Sequence, residues 1–423
     1  MRMPSATAIP QPAGKRDTVG IAAIYTIAFY LIGKMFYVLS GGSAQPADLA
    51  LVVMALLVSP PAALIRVARL WPTFAFLVIW IILVNAAWML ITGKLAFGVS
   101  ATYYMFNFLV VAATFSTRER DPALFDRIVP IALMVSIVIQ FGAVVLFGAN
   151  DGYRAVGTFR NPNQLSYWAL VVVSLLLILR RNRTRIWDLP FLLMALWCQI
   201  AGASRAGAVS IMLLLLVWAW FALETPIKRV LGMLIGSMLA VLLVASPLAG
   251  DLSNTQRVST VEERLNRDDR VSQLEVRNYN RILKYYQYTA FGAGEGFLAR
   301  FEEQRGAVVA EIHSSFGTML FSYGIVGLTL FSLALITLAR SLPFSLAIYI
   351  VPVLIYGLTH QGLRFTFFWM MLGLMLSIAA EGRAAGRSRS AASAPLRSAE
   401  PRSAVPRRAE FLREIAKARG SRY

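Results

Sequence analysis

Long apolar runs dominate this chain, each separated from the next by a short polar segment. A helix of about 20 mostly apolar residues crosses a bilayer core. On that measure the pattern predicts twelve spans: Ile21–Leu39, Asp48–Ile65, Trp71–Ile91, Phe97–Phe115, Ile128–Phe147, Leu165–Leu179, Trp187–Gly202, Ala206–Leu223, Val230–Leu248, Ser314–Ala339, Phe344–Leu358 and Phe365–Ala379. Pro60-Pro61 is expected to kink or break the second, because proline cannot donate the helical hydrogen bond. The seventh and eighth form one apolar run interrupted by AGASRAG, and a single overlong helix is the alternative there. The exception to the pattern is Asp251–His313, one long polar interval, in which Val258–Ala290 reads as mostly helical. The fold class is therefore an all-α polytopic membrane protein. A short tail covers residues 1–20 and nine spans occupy 21–250. The polar interval runs over 251–313, three further spans occupy 314–381, and a basic Ala/Ser/Pro/Arg tail, expected to be disordered, fills 382–423.

Charge orients this pattern. The chain carries 41 Lys and Arg against 22 Asp and Glu, a net charge of +19. With the N-terminus inside, inward loops hold Arg66 and Arg69, then Arg118, Arg120 and Arg127, then Arg180, Arg181, Arg183 and Arg185, then Lys228 and Arg229, and finally Arg340. Cytoplasmic loops are the ones enriched in lysine and arginine, so both termini are expected in the cytoplasm and no nucleic acid is needed to explain the basic balance. The first residues, MRMPSATAIPQPAGKRD, lack the apolar core of a signal peptide and read as an uncleaved tail. Cys198 is the single cysteine, so an intrachain disulfide is impossible.

The same orientation makes the outer loops unusual. Arg154, Arg160, Arg205, Arg277, Arg281 and Arg364 fall on the side where the bias predicts few, as do His313 and His360, the only histidines. Each arginine alone could be snorkelling towards lipid headgroups. As a set they suit a shared anionic ligand, because guanidinium forks match phosphate oxygens and stay charged. In RAVGTFRNPNQ, Asn161-Pro162 favours a turn and Asn163 is placed to cap the next helix, or both amides face the site with Arg154 and Arg160. Tyr279, Tyr285, Tyr286 and Tyr288 are either an interfacial aromatic belt or surfaces on which a sugar stacks. GAGEG at Gly292–Gly296 lacks the spacing of a nucleotide loop and reads as a turn. No paired-carboxylate or metal-binding motif stands out in these loops, so neither a metal nor a cofactor is expected.

These features come in an order that resembles a known family. GTFRNPNQL, then SRAG, then a long outer loop with an arginine before a GxG turn, then a histidine opening a helix that holds G-x-x-G, is similar to the O-antigen ligase and O-antigen/exopolysaccharide polymerase family, most clearly from Arg154 to Gly327. The resemblance implies a glycosyltransferase of the bacterial inner membrane, working on its periplasmic face. It implies metal-independent, inverting transfer of a glycan from undecaprenyl diphosphate. Arg205 and Arg277 match the arginines expected on the diphosphate, with Arg281 the alternative to Arg277; His313, which near neutral pH could accept a proton from a hydroxyl and reads as catalytic, matches the histidine near the acceptor hydroxyl. Ser314 departs from the asparagine common after that histidine. The expected activity is a polymerase extending carrier-linked repeat units, beside a chain-length regulator or other polysaccharide assembly proteins. The alternatives are a ligase acting on the lipid A core, a transporter of lipid-linked glycan, and a scaffold in a secretion complex. Asn85, Asn107, Gln140 and Gln199, polar positions within apolar spans, are what favours transport.

Overall fold

The structure is a computed structural model that describes residues 17–36, 38, 45–148, 154–223, 225–227, 230, 278–301 and 311–393. Among these, all regular structure is helical. The helices are α1 (Thr18–Gly33), α2 (Pro46–Val58), α3 (Pro61–Leu70), α4 (Pro72–Thr92), α5 (Ala96–Arg120), α6 (Pro122–Phe147), α7 (Pro162–Leu179), α8 (Leu189–Ala201), α9 (Arg205–Ala222), α10 (Asn280–Lys284), α11 (Ser315–Arg340), α12 (Phe344–Ala347), α13 (Ile350–Gly357) and α14 (Thr366–Ser393). The chain divides into two compact units, Met1–Ala379 and Ala380–Tyr423. The described part of the second, residues 380–393, is helical.

Among the described residues, six helices are long and apolar enough to cross a membrane: α4, α5, α6, α7, α11 and α14 as far as Ala385. Helices α2 and α3 pass the same test only as a pair, bent by 89°, and counting them as one broken span makes seven. The protein is thus an all-α, multi-pass membrane protein. The expected break at Pro60-Pro61 is present. Four of the predicted spans form shorter apolar helices: α1, α8, Ala206–Ala222 of α9, and Phe344–Gly357 across α12 and α13. All of the ninth but Val230 lies outside the described residues. The seventh and eighth spans are separate helices, because Gly202 and Ala203 turn the chain, Ala203 at a φ of 46°.

Local sequence sets where the helices start. Proline occupies the first position of α2, α3, α4, α6 and α7, where no backbone donor is needed. Asp121, Ser204 and Ser314 cap α6, α9 and α11 through side-chain oxygens. Burial then sorts the helices. In α7, 89% of the span is buried, so it is central, whereas only 33% of α4 is buried and its outer side carries exposed Phe76, Ile79 and Leu83. That apolar outer face suits lipid contact.

Helix α11 is broken. Gly324 sits in its middle with φ 70° and ψ −174°, which interrupts the helical ladder. The carbonyls exposed there are taken up from outside the helix. Phe321 O accepts from Ala293 N and Ser322 O from Gly294 N, both at 2.8 Å, and Tyr323 O accepts from Trp80 Nε1 at 2.8 Å. Unsatisfied backbone groups in apolar surroundings are costly, so a break of this kind persists only where neighbours re-pair it.

Candidate functional site

The segment that repairs α11 is the glycine loop, Gly292–Gly296. Its backbone needs glycine at three positions: Gly292, Gly294 and Gly296 have φ of 100°, 68° and 126°. A side chain at Gly292 would also collide with the Ser322 carbonyl. Close approach to α11 and positive φ therefore both demand glycine here. Helix α4 holds the loop from the other side. Trp88 Nε1 donates to Gly292 O at 3.0 Å, and Asn85 Oδ1 accepts from Glu295 N at 2.9 Å. Arg300 lies over Trp88, Phe97 and Phe301 at 4.7, 4.8 and 4.6 Å, and donates to the carbonyls of Ala293 and Gly294. Burial among these rings pulls its guanidinium down to about 10.

The loop delivers Glu295 into a polar core. Its Oε2 accepts from Tyr104 and Tyr323 hydroxyls at 3.0 and 2.9 Å. Its Oε1 accepts from Gln361 Nε2 at 3.3 Å and from Arg364 Nε and Nη2 at 3.0 and 2.8 Å. Arg364 also donates through Nη1 to Glu311. Burial alone would lower the Arg364 guanidinium, but Glu295 and Glu311 outweigh it and raise it above its ordinary value. Burial raises the Glu311 carboxyl, against the pull of Arg364. Arg281, buried on α10, is lowered by desolvation.

Arg281, Glu295, Glu311, Gln361 and Arg364 line one cavity of about 40 Å³, with Thr318 and Phe321 of α11 beside them. That volume takes a reacting group or a few waters rather than a whole sugar chain. Fixed guanidinium and carboxylate groups around such a space can neutralise an anion and exchange a proton with a hydroxyl.

A second network adjoins the first through the turn at 360–364. Arg154 donates to Gly202 O at 2.9 Å and to Asn163 Oδ1 at 2.7 Å. Tyr356 OH donates to Asn163 O and meets Ser204 Oγ, each at 3.1 Å. The His360 ring packs between Tyr167 and Tyr356, with centroids 5.2 and 5.3 Å away. Ser315 at the start of α11 then ties the turn down, donating to His360 O and accepting from Gly362 N.

The predicted site residues divide accordingly. Arg281 lines the cavity, and Arg154 and Asn163 sit in the adjoining network. Asn163 is not the cap of α7: Asn161 is, accepting from Asn163 N at 2.8 Å, because Pro162 takes the first helical position and moves the cap back. Arg160 and His313 are exposed and not among the cavity's lining residues. Tyr285 packs with Tyr279 and Tyr288 against the cluster of Ala293, Phe301, Ile312 and Phe321, while Tyr286 is exposed. Arg277 lies outside the described residues, and Arg205 is described by its backbone alone, at the start of α9. The described part of Val258–Ala290, residues 278–290, forms only α10 and a 3-10 turn at Tyr286–Thr289.

Glu295, Glu311 and Gln361 were not singled out by sequence. The two carboxylates do form a pair, across Arg364, although no motif signals it. A signal was present in the charge pattern: an outer arginine that breaks the positive-inside bias implies a buried counter-ion, and Glu295 is the one acid within GAGEG. Asn85, an intramembrane polar position, holds the Glu295 backbone, and Gln140 pairs with Thr158. The fold and this cavity define a multi-pass helical membrane protein with an ion-paired site. No known protein family and no curated protein matches the chain.

Proposed function

We propose that the protein is a polysaccharide polymerase that moves a glycan from undecaprenyl diphosphate to a carrier-linked repeat unit at the periplasmic face of a bacterial inner membrane. The observation that carries this reading is the meeting of Arg281, from the long polar interval, with Arg364, from the last turn, in one cavity closed by the glycine loop. The segments of the family resemblance, glycine turn and histidine-led helix among them, border that cavity or adjoin it through Ser315. Two guanidinium groups fixed before the reaction suit a diphosphate whose charge grows as it departs, since pre-oriented charges need no rearrangement at that moment. Arg205 and Arg277 are assigned to the same diphosphate by the resemblance, and His313 to positioning of the acceptor.

The test is reconstitution of the full chain in lipid vesicles with carrier-linked repeat units and no other protein. A ladder of longer carrier-linked glycans is the expected result. Transfer that requires added lipid A core would replace the polymerase by a ligase. Movement of the lipid-linked unit across the vesicle without transfer would replace both by a transporter.

A further inference from the structure

Two carboxylates face the cavity, and they are not equivalent. A carboxylate has about four lone-pair positions. Glu295 already receives five donors: two tyrosine hydroxyls, the Gln361 amide and two nitrogens of Arg364. It has no position left for a substrate hydroxyl. Glu311 differs. Among the described residues its side chain receives only Arg364 Nη1, on Oε1, and none of them donates to Oε2. Its side chain is 37% exposed against 7% for Glu295, so a substrate hydroxyl can reach it.

We propose that Glu311 is the general base of the cavity, taking the proton of the acceptor hydroxyl, and that Glu295 is a positioning residue that fixes Arg364. This rests on the glycosyl-transfer reading above. The acceptor oxygen forms its bond to the anomeric carbon while the bond from that carbon to the diphosphate oxygen breaks. The bonding pair leaves with the diphosphate, which Arg281 and Arg364 neutralise, and the proton passes to Glu311 Oε2 and then to water. Among the described residues, the charged groups facing Glu311 are Arg364 from the 360–364 turn, Arg281 from α10 and Glu295 from the glycine loop. Burial raises its carboxyl towards the working pH, where a base is most effective. His313, two residues on, is exposed and not among the lining residues.

The experiment uses the full chain in vesicles with carrier-linked repeat units. E311Q is expected to lower kcat by about 10²–10⁴-fold, the usual loss on removing a general base, with KM for the donor within about threefold. The acidic limb of the wild-type pH–rate profile should vanish in E311Q and persist in E311D. Formate should restore part of the activity of E311A and none to E295A. E311Q retaining kcat within about threefold of wild type, or E311D lacking the acidic limb, overturns the assignment while leaving the polymerase reading intact. Wild type that transfers nothing overturns both.

Discussion

Glu295 Oε1 receives both Nε and Nη2 of Arg364, at 3.0 and 2.8 Å, although the two residues lie 69 positions apart in the chain and neither is on a span. The pair joins the glycine loop to the turn that precedes α14. Removing one partner leaves the other charged in a site built for both, which costs about 3–5 kcal/mol when the site is fully buried. Arg364 is 43% exposed, so about 2–3 kcal/mol is expected for Glu295→Ala. The Arg364→Ala variant should cost more than that, because the Glu295 carboxylate it strands is only 7% exposed. The double variant should fall short of the sum by about 1 kcal/mol or more, and thermal unfolding in detergent measures the coupling. Additive losses would show that the contact contributes no coupling.

Glycine substitutions separate conformational demand from mere helix propensity. Gly324→Ala places a side chain at φ 70° and against the Ala290 carbonyl, and should destabilise by more than about 1 kcal/mol. Gly142 in α6 has open space where a Cβ would go, so Gly142→Ala should be neutral or stabilise by up to about 1 kcal/mol. Melting temperatures of the two variants should move in opposite directions or differ clearly.

The Glu311 carboxyl also links stability to pH. Burial raises it in the folded protein, so the folded state holds the proton more tightly than the unfolded state. Its contribution is most favourable below the unfolded glutamate value and is lost as pH rises through the raised folded value. Unfolding midpoints taken from acid towards neutral pH should therefore show a declining component that E311Q lacks. An identical slope in the variant would contradict the assignment.

Arg281 should be sensitive to geometry as well as charge. It lines the cavity and is buried, with its guanidinium over the Phe301 ring at 5.6 Å. If it neutralises the leaving diphosphate, Arg281→Ala should reduce kcat/KM by about 10²-fold, and Arg281→Lys should recover only part, because an ammonium lacks the planar fork. Steady-state kinetics with carrier-linked donor measure this.

Orientation has its own test. The single cysteine, Cys198, is buried in α8, so the folded wild type should resist a membrane-impermeant maleimide. Tyr286→Cys should label from the periplasmic side, since Tyr286 is 73% exposed on the polar interval. Arg181→Cys, in the turn after α7, should label only from the cytoplasm. The reverse pattern would invert the proposed topology.

Much of the fold was legible because a bilayer imposes a length and composition on each span. Apolar runs located helices in every predicted span that lies among the described residues, and Pro60-Pro61 marked the bend between α2 and α3. Helix continuity was less legible: the span expected over Phe344–Leu358 is two short helices, α12 and α13, whereas α8 and α9 keep their expected bounds to within two residues. The site was legible only as scattered parts. Arg364 and GAGEG were both conspicuous, but Glu295 joins residues 85, 104, 323, 361 and 364, which no local spacing connects. Gly324 stood out only as one half of the G-x-x-G in that helix, and its break was not legible because positive φ leaves no mark in a sequence where glycine is common.

That break has a consequence for how the protein is made. The glycine loop emerges from the ribosome before α11, yet the carbonyls it pairs with belong to α11, and the Arg364 that clamps Glu295 is made later still. The loop therefore cannot lock when it is synthesised. It waits until the helix that follows has inserted and the turn before α14 has arrived. The cavity cannot close before the turn at 360–364 exists, and a chain truncated before residue 364 would carry α1 to α13 without the clamp on Glu295.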